Sequence, residues 1–83
     1  YPDDPIAIIN SAATDLEGGN FTAALERLER VKDDPRAWNN LGVAHAKAGD
    51  LTTATEYLKK AAASGDPMAE ANLEELKKAT EIK

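Results

Sequence analysis

Three asparagines, Asn10, Asn40 and Asn72, recur at intervals of 30 and 32 residues. An amide side chain both donates and accepts hydrogen bonds, so a spaced series suits recognition of a polypeptide main chain, which offers both polarities. Asn is also a mediocre helix former, and the competing reading is an ordinary solvated polar surface. Few other residues offer chemistry. His45 is the single histidine and cysteine is absent, which excludes disulfides and thiolate metal sites and leaves His45 without a partner for metal binding or nucleophilic catalysis. The paired acids Asp3-Asp4 and Asp33-Asp34 each precede a proline. Acids in that position cap free backbone N–H groups and favour the helix dipole, and no calcium-loop spacing accompanies them. No set of nucleophile, base and stabiliser assembles, so neither an enzyme nor a bound cofactor is expected.

The 83 residues have room for one domain and carry a net charge of −5. A chain of this size buries a small core, which sets its stability at about 4–8 kcal/mol and leaves little for a strained active site. Without a cluster of Lys and Arg there is no basic stripe for phosphates, so nucleic acid is not an expected partner. No apolar run approaches the roughly 20 residues that span a bilayer, so membrane insertion is not expected either. The chain opens on Tyr1, and the expectation is a domain of a longer polypeptide or a processed product. Nothing in the composition favours the cytoplasm over a bacterial periplasm.

The elements that must position these residues are marked by punctuation. Asp-Pro occurs at Asp4-Pro5, Asp34-Pro35 and Asp66-Pro67, an N-cap followed by a residue suited to the first helical position. Between these starts, Gly18-Gly19-Asn20 and Gly49-Asp50 combine a left-handed C-cap with a cap for the next helix. The spacing predicts helices near 5–17, 20–32, 35–48, 51–64 and 67–81. Phe21, Ala24, Leu25, Leu28 and Val31 form one apolar stripe, repeated by Leu51, Ala54, Leu58 and Ala61. The architecture expected is all-α: two helix hairpins, at about 4–33 and 34–65, and a fifth helix at about 66–82.

Trp38-x-x-Leu41-Gly42-x-x-His45, followed by Ala54-x-x-x-Leu58-x-x-Ala61, resembles the tetratricopeptide repeat signature W-x₂-L-G-x₂-Y…A-x₃-F. Trp38 would fill space between helices, with Gly42 and Ala54 small where two helices cross. The chain departs from the pattern outside this middle unit. Ile8 stands at the Trp place and Ser11-Ala12 at the Leu-Gly place of the first unit, and Glu70 and Glu74 take the Trp and Gly places of the last. The final helix then reads as a polar cap bearing Glu70, Glu74, Glu75, Lys77, Lys78 and Glu81. The spacing between units is also shorter than the usual ~34 residues. The stretch from Lys60 to Leu73 is similar to Sel1-like repeats, which share the hairpin plan.

The resemblance implies an α-α superhelix whose concave groove is lined by the first helix of each repeat. It puts Asn10, Asn40 and Asn72 on that face, where their amides would contact an extended ligand. Flanking groove positions are Ile6, Ile9 and Ala13, then Arg36, Asn39, Val43 and Lys47, then Met68, Ala71, Glu75 and Lys78. Ile6, Ile9, Val43 and Met68 would either form an apolar contact patch or pack against segments outside this chain. The subgroup of the family that grips a C-terminal carboxylate uses Lys, Asn and Arg at places held here by Ile9, Ala13, Asn40, Met68 and Asn72. Only Asn40 agrees, so such a clamp is not expected. The implied function is a protein-protein or peptide-binding module, a scaffold unit without cofactor. The alternative is a structural spacer or self-association domain.

Overall fold

Each Asp-Pro pair starts a helical segment by the same device. In the computed structural model, which describes residues 4–81, the Ile6 N–H donates to Asp4 Oδ1 at 3.0 Å, Arg36 N–H to Asp34 at 2.9 Å and Met68 N–H to Asp66 at 2.9 Å. The described chain is all-helical: α1 (Pro5–Glu17), α2 (Phe21–Glu29), a 3₁₀ turn (Pro35–Ala37), α3 (Trp38–Lys47), α4 (Leu51–Ala63) and α5 (Pro67–Glu81). Asp3, expected to assist the first cap, and the side chain of Glu81 lie outside the described residues.

The two hairpins close through one hydrogen-bond pattern. The Gly19 N–H donates to the Leu16 carbonyl and Asn20 N–H to Asp15, while Gly49 N–H donates to Ala46 and Asp50 N–H to His45. These are paired Schellman bonds, which need a left-handed residue after the helix. Gly19 and Gly49 supply it with φ of 83° and 93°, a conformation costly for a residue bearing a Cβ. Asp50 then caps α4, accepting from the Thr53 N–H at 3.1 Å. Asn20, expected to do the same for α2, makes no capping bond through its side chain.

Two boundaries differ from the sequence expectation. The second helix ends at Glu29 rather than 32, and the third starts as a 3₁₀ turn before Trp38. Both follow from the short link between repeats. Val31 N–H reaches back to Leu28, Asp34 N–H to Val31 and Ala37 N–H to Asp34, all i→i−3 bonds that turn the chain more tightly than an α-helix would.

Packing follows the repeat. The helices associate as α1 with α2 and α3 with α4, α2 lies against α3, and α5 packs chiefly on α4. One apolar cluster joins Ile8, Ala12, Ala24, Leu28, Val31, Ala37, Leu41 and Ala44, and a second joins Ala54, Leu58, Ala61, Ala69 and Leu76. Trp38 packs against both, which makes it an apolar bridge between the two clusters. Its indole Nε1–H donates to the Lys32 carbonyl at 2.9 Å, and Lys60 Nζ sits 5.7 Å from its ring centre. At Gly42 α3 and α4 come close: a Cβ there would lie 2.5 Å from Leu58 Cγ and 3.2 Å from the Ala54 carbonyl oxygen. Ala12 takes the equivalent place in the first hairpin and is fully buried. On α5 that place is held by Glu74, which is exposed, as is Glu70.

Leu51 departs from its stripe. Ala54, Leu58 and Ala61 are buried, but Leu51 is 39% exposed. It is the first residue of α4 and opens onto a cleft.

Candidate functional site

The cleft has a volume of about 450 Å³ and takes one face from each of three helices. Val43, Ala46 and Lys47 come from α3, Leu51 and Leu58 from α4, and Asn72, Glu75, Leu76 and Ala79 from α5. The spacings on α3 and α5 are i, i+3, i+4, the pattern by which a helix presents a single stripe. Leu58 is 1% exposed and Leu76 is 8% exposed, so they form the depth of the cleft, while Leu51 and Ala79 reach its opening. Lys47 stands on the α3 wall and Glu75 on the α5 wall, both exposed. Neither makes an ion pair or a hydrogen bond through its side chain among the described residues.

Four residues expected in the groove meet here: Val43, Lys47, Asn72 and Glu75. The others do not. Ile6, Ile9, Asn10 and Ala13 lie on α1 and none of them lines the cleft. Ile6 and Asn10 are exposed, whereas Ile9 packs against the first core cluster. Met68 is 65% exposed at the start of α5, and Ala71 and Lys78 are exposed farther along it.

Arg36 is turned back on its own cap. Its Nε and Nη2 donate to the Asp34 carboxylate, the shortest contact being 2.6 Å. That hydrogen-bonded fork, helped by the Arg36 backbone N–H, lowers the Asp34 carboxyl to about 2 from an ordinary 3.8. A guanidinium so held is committed to the turn and is not aimed at the cleft.

The asparagines divide by role. Asn39, expected on the groove flank, is buried at 8% exposure. Its Oδ1 accepts from Asn72 Nδ2 at 2.9 Å, a bond from α3 to α5 that holds the two walls together below the opening. Asn72 therefore ties the terminal helix to the second hairpin as well as lining the cleft. Asn40 is half-buried and Asn10 exposed. In α1 the place equivalent to Asn39 is Ile9, so Asn40 has no corresponding amide to meet there.

His45 serves packing between α3 and α4. Its ring stacks on Tyr57 with centres 5.7 Å apart and planes within 5°. Nδ1 lies 3.9 Å from Asp50 Oδ2, while Nε2 is enclosed without a hydrogen-bond partner. Burial raises the Tyr57 phenol above its ordinary value, and the hydrogen bonds from Thr53 lower the Asp50 carboxyl. Among the described residues, no three His, Cys, Asp or Glu side chains gather where they could hold a metal ion. No helix among them is long and apolar enough to cross a membrane.

Sequence reasoning missed Ala46, Leu51, Leu58, Leu76 and Ala79 as cleft residues. Leu51 and Leu58 read as core, and nothing local separates a leucine on the floor of a cleft from one in the core. Leu76 and Ala79 carried a usable signal: they stand four and seven residues after Asn72, on the same helical face. No family model, curated protein or solved structure matches this chain.

Proposed function

We propose that this chain is a protein-interaction module and that the cleft between α3 and α5 is its docking surface. One observation carries the reading: an apolar cleft of about 450 Å³ opens to solvent between the second hairpin and the terminal helix, with two opposite charges at its rim that engage nothing else among the described residues. That volume falls in the range of about 300–1,000 Å³ in which proteins hold ligand groups. The resemblance of the Trp38–Ala61 segment to tetratricopeptide repeats points the same way, since the concave face of that scaffold is a binding surface. Apolar side chains of a partner segment would enter over Leu58 and Leu76. The Asn72 carbonyl would accept from the segment's main chain, and Asn40 and Asn10 would extend the polar contacts toward α1.

The test is affinity capture from a lysate with wild-type protein beside Leu51→Glu. Leu51 opens α4, where an acid is favourable to the helix dipole, so the variant folds while a charge enters the cleft. Partners retained by wild type and lost by Leu51→Glu, with equal circular dichroism, support the docking surface. The same partners on both baits would place binding elsewhere and remove the cleft from the proposal.

A further inference from the structure

We propose that the occupant of the α3–α5 cleft is a second copy of this chain, joined about a two-fold axis so that α5 of each copy enters the cleft of the other. The inference rests on the docking reading above and names the partner.

The first argument is the state of α5. α1 and α2 cover each other, as do α3 and α4, but α5 follows a hairpin without being part of one. A sixth helix in the register of the others would have to approach α5 where α4 approaches Gly42. At such a crossing the first two units place the small residues Ala12 and Gly42, both buried, whereas α5 carries Glu74 at the equivalent place, exposed. A helix closing on that face would bury the Glu74 carboxylate, which is costly unless it is paired. What stays open is the stripe through Glu75 and Ala79, where Ala79 is small enough to let another helix come near.

The second argument is charge. The cleft has one cation on its α3 wall, Lys47, and one anion on its α5 wall, Glu75, and neither is neutralised among the described residues. A two-fold contact is self-complementary: if residue i meets residue j, then j meets i. Inserting α5 of one copy beside α3 of the other brings Glu75 to Lys47 of the second copy, and the symmetry makes the same pair again. The apolar strip of Leu51, Leu76 and Ala79 is covered in the same step.

Size permits it. A stable interface takes about 800 Å² from each partner, a modest share of the 5270 Å² accessible surface. The opposing effect is repulsion between copies of net charge −5, which is largely screened beyond ~8 Å at physiological salt. Two close Lys–Glu pairs act inside that distance, so the contact attraction wins locally.

The experiment is sedimentation equilibrium of the full chain up to about 1 mM, a concentration that registers association free energies down to about −4 kcal/mol. The 8.9 kDa chain should approach twice its mass. Lys47→Glu and Glu75→Lys should each weaken the dimer about tenfold, since each converts two exposed attractions into repulsions. The double variant Lys47→Glu/Glu75→Lys should recover wild-type affinity. A dimer whose affinity the double variant fails to recover assembles through another face, and the proposal is overturned. A wild-type monomer throughout also overturns it. In that case, partner capture lost with Leu51→Glu would leave the docking surface standing with a different protein as occupant, while capture indifferent to Leu51→Glu would sink both.

Discussion

The side-chain amide of Asn72 donates to the side-chain oxygen of Asn39 across 33 residues of sequence, 2.9 Å apart and partly buried. It is a polar tie between α3 and the terminal helix, and its position under the cleft makes the spacing of the two walls depend on it. Replacing Asn72 by Ala leaves Asn39 with an enclosed oxygen that loses this partner, which should cost about 1–3 kcal/mol. The double variant Asn39→Ala/Asn72→Ala should cost less than the sum of the singles, while Asn10→Ala should stay within about 0.5 kcal/mol of wild type. Urea unfolding of the four proteins checks this, and strict additivity of Asn39 and Asn72 would contradict the bond.

Gly42 should resist even the smallest addition. A methyl there meets Leu58 Cγ at 2.5 Å, and Leu58 is buried and cannot swing away. Overpacking costs about 1–3 kcal/mol, against which Ala gains about 1 kcal/mol over Gly in helix propensity. The net expectation for Gly42→Ala is a loss of up to about 2 kcal/mol, read as a lower urea midpoint at unchanged slope. A stabilised variant would show that α3 and α4 separate more easily than their packing implies.

Trp38 should matter beyond its own contacts because it touches both apolar clusters. Trp38→Ala should cost about 3–5 kcal/mol. Trp38→Phe keeps most of the packing but loses the bond to the Lys32 carbonyl, at about 1 kcal/mol. Amide hydrogen exchange of Trp38→Ala should show α5 opening at lower free energy than α1 and α2, where the wild type opens more nearly as one unit. Equal protection of all helices in the variant would mean that another contact couples the two clusters.

The fork between Asp34 and Arg36 predicts an acid-side effect. Asp34 is held near 2 in the folded chain, below an ordinary 3.8. Because the folded value is the lower one, the carboxylate's contribution is fully present above pH 3.8 and disappears as the pH falls toward 2. The Arg36 side chain is the largest cause and its backbone N–H the next, so Arg36→Ala should raise the Asp34 midpoint only part of the way to 3.8. A carboxyl NMR titration reads it directly. An unmoved midpoint would assign the depression to the backbone alone.

Local features were legible in the residues themselves. Asp4, Asp34 and Asp66 cap helical segments because an aspartate before a proline reaches a backbone N–H two residues on, and Gly19 and Gly49 turn left-handed because the Schellman closure demands it. Each is settled within half a dozen residues, so the all-helical plan and five helix positions could be read without coordinates. The 3₁₀ turn at Pro35–Ala37 was the exception, since it answers to the length of the link between repeats and not to propensity.

Tertiary structure decided the rest. Asn39 and Asn40 are neighbours of one type, and only the rotation of α3 against α5 buries the first and leaves the second half-open. Leu51 and Leu58 share a stripe, yet one reaches the mouth of the cleft and the other its floor because α5 covers α4 unevenly. Sequence alone determined which residues face the same way along a helix. Which of those faces meet, and where they fail to meet and leave a cleft, depends on packing between elements far apart in the chain.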